Sequence, residues 1–553
     1  NGAYLLRLTA TDIGGRTTQS ERLVEINTAT KANVFTTTAT DLTTTLDGVS
    51  IQFQRIYSSL NASFAGLFGY GWSFGGAEAR ISTNVLPTGY EEYGVFRPYA
   101  DGTRVYLDLP DGRRAGFTFT PVEHQLTGVT YYTPAWTADA GVDYTLTSAP
   151  ALLEKGGMSY YQRGTGLPYN PADARYGEGA FTLMASNGTK FLYAADGELD
   201  GYVSASGVRF VVCDGGVIAP NGDRIEMRRD AQGRLTLVTA PDGQQLRYAY
   251  DTSGNLSSVT RLGDGTRAWY GYDAPATHLL NTVIPFAGSG LAVTYDASGR
   301  ALTTQGISVY LGASRQVVNS ILAGQTISSG ETKLYVFVVG VDELATSATG
   351  SIVMGLQLRN LTSTTMSIPM IRGLMVVDAT QKAGESTGLF QLVEGKPYVV
   401  EVTGFAGTFD LTLFLAGDVN SDAQVDGTDR TLLAAATGTS LGQPGYVARA
   451  DSNRDGTVDA ADMLHLNTGY GFVANQAPST SAGTAKTYRD IPVTIDLAGL
   501  SADPEGRGLG YTFTNVRHGR ITLAGDGTTV IFTPEAGYAG SAGFDLVADD
   551  GLA

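Results

Sequence analysis

One cysteine, Cys213, and four widely separated histidines, His124, His278, His465 and His518, are all the thiol and imidazole chemistry in the 553-residue chain. A single thiol excludes an intramolecular disulfide and a thiolate zinc cluster, so stiffness has to come from size, sheet hydrogen bonding or metal. None of the histidines sits in a nucleophile-elbow or HExxH setting, and the chain reads as non-catalytic. Charged residues are scarce at 16%, and basic ones scarcer, 37 against 54 acidic, for a net charge of −17. That balance leaves no footprint for phosphate backbones and repels an anionic membrane, so neither nucleic acid nor membrane insertion is expected. No apolar run approaches the roughly 18 residues of a spanning helix; the run at 335–339 reads as a buried strand. Cys213, between Val212 and Asp214, reads as a buried thiol.

Glycine is abundant, at 71 residues, alongside 29 Tyr and 42% hydrophobics, which suits turn-dense β structure. The length predicts about three to four domains. In residues 1–30, Tyr4, Leu6, Leu8 and Ala10 share one face, the chain turns at Ile13-Gly14-Gly15, and alternation resumes through Leu23, Val24 and Ile26. This segment resembles the C-terminal hairpin of a truncated immunoglobulin-like or fibronectin-like domain. The chain, opening at Asn1 without Met or a signal peptide, reads as a fragment of a longer secreted protein.

Residues 31–305 form a procession of short strands and Gly turns that becomes periodic. Asp230-Ala231-Gln232-Gly233, Asp251-Thr252-Ser253-Gly254 and Asp296-Ala297-Ser298-Gly299 share the form D-x-x-G, with Asp273 in phase, at steps of 21, 22 and 23 residues. Asn221-Gly222, Asp242-Gly243 and Asp264-Gly265 run in register between them, so one β-hairpin forms per repeat, with strands expected at 224–229, 246–250, 268–272 and 291–295. Asp caps each turn with its carboxylate, Gly takes the positive φ, and Tyr supplies an apolar face for stacking. At Tyr248 to Leu256, Tyr270 to Asp273 and Thr294 to Arg300 the chain resembles the YD-repeat (Rhs) family, and Ile51 to Ser59 with Phe68 to Phe74 resembles the segment leading into such repeats. The resemblance implies a spiralling β scaffold, which in full-length relatives closes into a toxin-enclosing shell or serves as a surface stalk. Trp72, Trp136 and Trp269 read as core or hairpin stacking rather than a sugar platform.

Residues 306–416 lose the D-x-x-G punctuation and read as a β-sandwich, with one strand expected at 334–341. Residues 474–553, which include a short polar linker at 476–480, resemble a bacterial cadherin-like, immunoglobulin-type repeat through 491–496, 501–505, Phe532-Thr533-Pro534 and Asp549-Asp550-Gly551. Asp503-Pro504-Glu505-Gly506 reads as a turn.

The strongest chemical signal lies at 417–473. Asp418, Asn420, Asp422, Gln424, Asp426 and Asp429 occupy positions 1, 3, 5, 7, 9 and 12 of a loop, and Asp451, Asn453, Asp455, Thr457, Asp459 and Asp462 repeat them 33 residues on. The spacing turns three side-chain oxygens to one side, position 7 adds its carbonyl, and a carboxylate at 12 closes the sphere from a helix start. An all-oxygen set of six or seven ligands selects Ca2+, two ions in all. Asp at position 12, the absence of an entering helix and the duplication resemble a type I dockerin; Ala423 stands where position 6 is ordinarily Gly. The resemblance implies a cohesin, or neighbouring β modules, as partner.

The chain is therefore expected to be a mostly β, multidomain protein: a hairpin-repeat sheet, β-sandwich modules and a small EF-hand-like dockerin module that holds its only helices. The expected function is a non-catalytic, calcium-binding, secreted bacterial scaffold or adhesion protein at the cell surface, with a polysaccharide or cell-surface partner. A dockerin-anchored component of a carbohydrate-degrading complex and part of an Rhs-type toxin shell are the alternatives.

Overall fold

The computed structural model describes residues 2–26, 33–75, 79–172, 180–262, 265–272, 277–362, 366–506, 508–524 and 526–550. Strand makes up 49% and helix 7%, a mostly β multidomain chain as the composition implies. It divides into two compact units, Asn1–Gln245 and Leu246–Ala553.

In the first unit, Gly2–Thr11 and Thr17–Ile26 form the expected hairpin, closed where Asp12 Oδ1 accepts from Gly14 N and Arg16 N. Glu25 ties it down by accepting from Tyr106 Oη and Asn84 Nδ2. The two motifs that resemble a repeat lead-in come together. Arg55 and Asp41 form a fully buried ion pair at 2.5 Å, with the guanidinium 4.7 Å from the Trp72 ring centroid. Gly71, at φ 75°, sits against Tyr57, whose ring a Cβ there would meet at 2.4 Å. An aromatic core forms around Tyr99, Phe117, Phe119 and Phe181, and from Phe181–Met184 to Leu235–Thr239 the strands pair antiparallel with their sequence neighbours.

The second unit continues that pattern from Leu256–Arg261 to Ala301–Gly306. The turns are built as the sequence dictates. Asp251 Oδ1 accepts from Ser253 N and Asn255 N, both at 2.9 Å, Asp296 Oδ1 repeats this with Ser298 N and Arg300 N, and Gly254 and Gly299 take positive φ. A bulge precedes each Asp. Asp264 and Asp273 lie outside the described residues. Trp269 is buried and Trp72 likewise, while Trp136 packs half-buried on the aromatic core of its unit.

The sandwich has two sheets. Lys333–Val339 lies between Val309–Ala313 and Lys396–Val402, with Met370–Ile371 at the edge; facing it run Ile321–Ile327, Gly407–Leu415, Ile352–Asn360, Glu385–Leu392 and Val376–Lys382. The unbroken apolar run is explained by burial on both faces. Leu334, Val336 and Val338 pack with Trp269, Ile284 and Ala292 of the hairpin sheet, whereas Tyr335, Phe337 and Val339 face the sandwich core. That core continues into residues 419–474 through Val425, Leu433, Val458 and Leu466. Beyond it, Leu497, Tyr511 and Val530 form the small core of the C-terminal sheets, and Arg267 pairs with Asp549 at 3.0 Å, both side chains nearly buried.

Two expectations are corrected. Cys213 is exposed: in Arg209–Cys213 the alternation buries Phe210 and sends Val211 and Cys213 to the other face. A helix also lies outside the dockerin segment. α1 (Val341–Thr346) takes the end of the strand expected to reach Val341, because Glu343 Oε2 accepts from Gly340 N at 2.7 Å and caps a helical turn there.

Candidate metal centre

Each loop feeds a helix, α2 (Gly427–Ala436) and α3 (Ala460–Gly469). Position 9 is the N-cap in both: Asp426 Oδ1 accepts from Thr428 N at 2.7 Å and Asp459 Oδ1 from Ala461 N at 2.8 Å. Position 12 reciprocates, Asp429 Oδ2 accepting from Asp426 N and Asp462 Oδ2 from Asp459 N, each at 2.9 Å. The other oxygen of position 12 reaches back to the loop entrance, where Asp429 Oδ1 accepts from Val419 N and Asn420 N, and Asp462 Oδ1 from Ser452 N. The helix start thus aims a buried carboxylate into the loop.

The turn itself needs left-handed backbone. Ser421 and Ala423 have φ of 68° and 67°, and their counterparts Arg454 and Gly456 have 59° and 103°. This brings position 1 over the turn: Asp418 Oδ2 accepts from Ala423 N at 3.0 Å and Asp451 Oδ2 from Gly456 N at 2.9 Å. In the first loop Asp418, Asp422 and Asp429 each offer an oxygen within 4.8 Å of the others. Asn420 Oδ1 accepts from Asp422 N, and Gln424 N donates to Asp422 Oδ1. In the second loop Asn453 Oδ1 accepts from Asp455 N, while Thr457 Oγ1 donates to Asp455 Oδ1 at 2.6 Å.

The two halves brace each other with internal symmetry. Val425 N donates to Phe472 O beyond α3, and Val458 N donates to Thr439 O beyond α2. Leu433 and Leu466, equivalent at the 33-residue offset, are both fully buried.

The sandwich holds both loops. Asn319 Nδ2 donates to Asp418 Oδ2 at 2.7 Å, Asn453 Nδ2 donates to Asp378 Oδ2 at 3.0 Å, and Lys382 Nζ donates to Arg454 O at 2.6 Å. Tyr446 Oη donates to Asp451 Oδ2 at 2.6 Å, giving the second loop from within what Asn319 gives the first from outside. Sequence reasoning missed Asn319, Asp378 and Tyr446; only the Tyr446–Asp451 pair, five residues apart, lies within reach of a local pattern.

Burial pushes the Asp418 carboxyl up, aided by the neighbouring Asp429 charge, and burial likewise pushes Asp462 up. Carboxylates held close together out of water are costly without a cation. The donors are all oxygen and the backbone is already wound around them, so these residues fit a hard dication.

Three family models match the chain: RHS Repeat at residues 229–267, Dockerin type I domain at 416–468 and Bacterial Ig domain at 475–553. The chain carries an RHS repeat, a type I dockerin and a bacterial Ig domain, in that order. The resemblances read from the D-x-x-G turns, the paired loops and the C-terminal motifs are borne out. No curated protein matches the chain. Among the described residues no helix is long and apolar enough to cross a membrane. The dockerin is packed unevenly: α3 lies along Ile352–Asn360 of the sandwich, whereas α2 buries only Asp429, Leu433 and Ala436 and leaves Leu432 40% exposed.

Proposed function

We propose that this chain is a non-catalytic segment of an extracellular bacterial scaffold or adhesion protein, in which two calcium ions, one per dockerin loop, fix the dockerin against the β-sandwich. The observation that carries this reading is the single hydrophobic core in which Ile352 and Met354 of the sandwich pack with Leu433, Val458 and Leu466 of the dockerin. A module fused to its neighbour in this way acts as a rigid joint, and in a metal-wound module binding energy is folding energy. Each ion would be held by positions 1, 3 and 5, the carbonyl of position 7 and the carboxylate of position 12: Asp418, Asn420, Asp422, Gln424 and Asp429 in one loop, Asp451, Asn453, Asp455, Thr457 and Asp462 in the other. Asp426 and Asp459 serve as caps beside the ion. Chelation should increase protease nicking within 417–473 and lower the melting temperature, and the paired substitution Asp418→Asn, Asp451→Asn should reproduce both effects. Unchanged melting and proteolysis would overturn the reading.

A second reading, anchorage to a cohesin, is favoured by the dockerin match and by the open outer face of α2. Calcium-dependent capture on immobilised cohesins would establish it, and failure against several cohesins leaves the joint as the module's role. A polysaccharide or cell-surface component is the partner such a scaffold would present itself to.

A further inference from the structure

Ser82–Thr83, Arg104–Asp108 and Arg114–Phe119 are neighbouring strands of the first unit. Beside them opens a cleft of about 850 Å3 whose wall includes Asn61, Phe64, Arg80, Ser82, Asp108 and Arg114. One carboxylate organises it: Asp108 Oδ2 accepts from Arg80 Nε at 2.6 Å and its Oδ1 from Arg114 Nη1 at 2.9 Å. Arg80 Nη2 then donates to Asn61 Oδ1 and Arg114 Nη2 to Ser82 Oγ, each at 2.8 Å. Each of these acceptors thus already takes a hydrogen bond from a guanidinium. Donors are left over: Arg80 Nη1, the Asn61 amide N–H groups and the Ser82 O–H have no hydrogen-bond acceptor among the described residues. The charged groups of the wall are Arg80, Arg113 and Arg114 against Asp108 and Asp139, a positive balance in a chain of net charge −17. Phe64 is 53% exposed, with the Arg80 guanidinium 4.2 Å from its ring centroid.

We propose that this cleft binds an acidic, uronate-type oligosaccharide. A site with spare donors, acceptors already engaged by arginine and a positive balance selects a ligand rich in acceptors and negative in charge. A uronate brings a carboxylate to Arg80 and ring and hydroxyl oxygens to Asn61 and Ser82, and its pyranose face lies on the exposed Phe64 ring. A peptide of the same charge brings backbone N–H groups that meet acceptors already engaged by Arg80 and Arg114, whereas a sugar hydroxyl can accept from the spare donors as well as donate. The cleft volume lies within the range of small-ligand sites. The proposal deepens the scaffold reading by giving its polysaccharide partner a chemistry, yet it stands on this cleft, so its failure leaves the chelation experiment untouched.

The test is titration calorimetry of the full chain with tetragalacturonate, with cellotetraose and a polyglutamate peptide alongside. The expected result is saturable binding of tetragalacturonate alone. Phe64→Ala and Asn61→Asp, both at accessible positions and with unchanged melting, each weaken it by about tenfold or more, a loss of ~1.4 kcal/mol. No heat with tetragalacturonate, parental affinity in both variants, or equal binding of cellotetraose or polyglutamate would overturn the proposal.

Discussion

Asn319 in the sandwich donates its Nδ2–H to Asp418 Oδ2, position 1 of the first calcium loop, at 2.7 Å across 99 residues of sequence. With Ala423 N on the same oxygen and Asp422 N on Oδ1, both oxygens of the carboxylate are held. Supports of this kind ordinarily account for about tenfold or more in metal affinity. Asn319→Ala should therefore weaken calcium at the first loop by about tenfold and leave the second near its parental value, since Tyr446 holds Asp451 there. Two-site calorimetric titration checks this; equal weakening of both loops would refute the link.

Ala423 makes the second prediction. Its φ of 67° is left-handed backbone that a Cβ disfavours, and the same position of the second loop is Gly456. Ala423→Gly should relieve about 1 kcal/mol and tighten the first loop roughly fivefold. Gly456→Ala, at φ 103°, should weaken the second loop by more than that. Calcium titration of the two single variants reads both directions.

What was legible in the sequence is what closes over a few residues. The Asp251 and Asp296 turns, the caps at Asp426 and Asp459 and the position-12 carboxylates each depend on partners within about a dozen positions, where spacing alone sets geometry. The run at 335–339 was legible as buried, but nothing local says that one face meets Trp269 and the other the sandwich core. Asn319, Asp378 and the fusion of dockerin to sandwich depend on pairs far apart in the chain. Cys213 was misplaced because a run of strand-forming residues does not reveal which parity faces inward, and α1 because one Glu at the third helical position outweighed a β-rich run.

The doubly covered strand Lys333–Val339 yields the third prediction. Leu334→Ala opens a cavity against Trp269 and Ile284 and Phe337→Ala opens one in the sandwich core. Each should destabilise by about 3 kcal/mol or more. Val377→Ala, at a half-exposed position of a neighbouring sheet, should stay within about 0.5 kcal/mol. Hydrogen exchange separates the first two: Leu334→Ala should speed exchange in Leu280–Ile284, Phe337→Ala in Ile352–Asn360. The reverse pattern would contradict the assignment of faces.

His465 supplies a pH dependence. Ser452 Oγ donates to Asp462 Oδ1 at 2.9 Å and lies 2.9 Å from His465 Nδ1. The single hydroxyl proton goes to the carboxylate, so the neutral imidazole donates its Nδ1–H to the serine oxygen. Burial holds the His465 imidazole below its ordinary value of 6.5, against the raising influence of nearby Asp378, Asp462 and Asp459. On acidification the unfolded chain then takes up a proton that the folded chain resists, so this contribution is whole above pH 6.5 and is lost as pH falls below it. Asp418 and Asp462, raised by burial, act with the opposite sign on folding, because their protonation is easier in the folded state. The comparison that isolates the histidine is the parent chain against His465→Gln, which keeps a donor for Ser452 and cannot charge. Melting temperature followed from about pH 7.5 to about pH 5.5 in saturating calcium should fall more steeply for the parent than for the variant. Parallel slopes would mean that His465 titrates alike in the folded and unfolded chains.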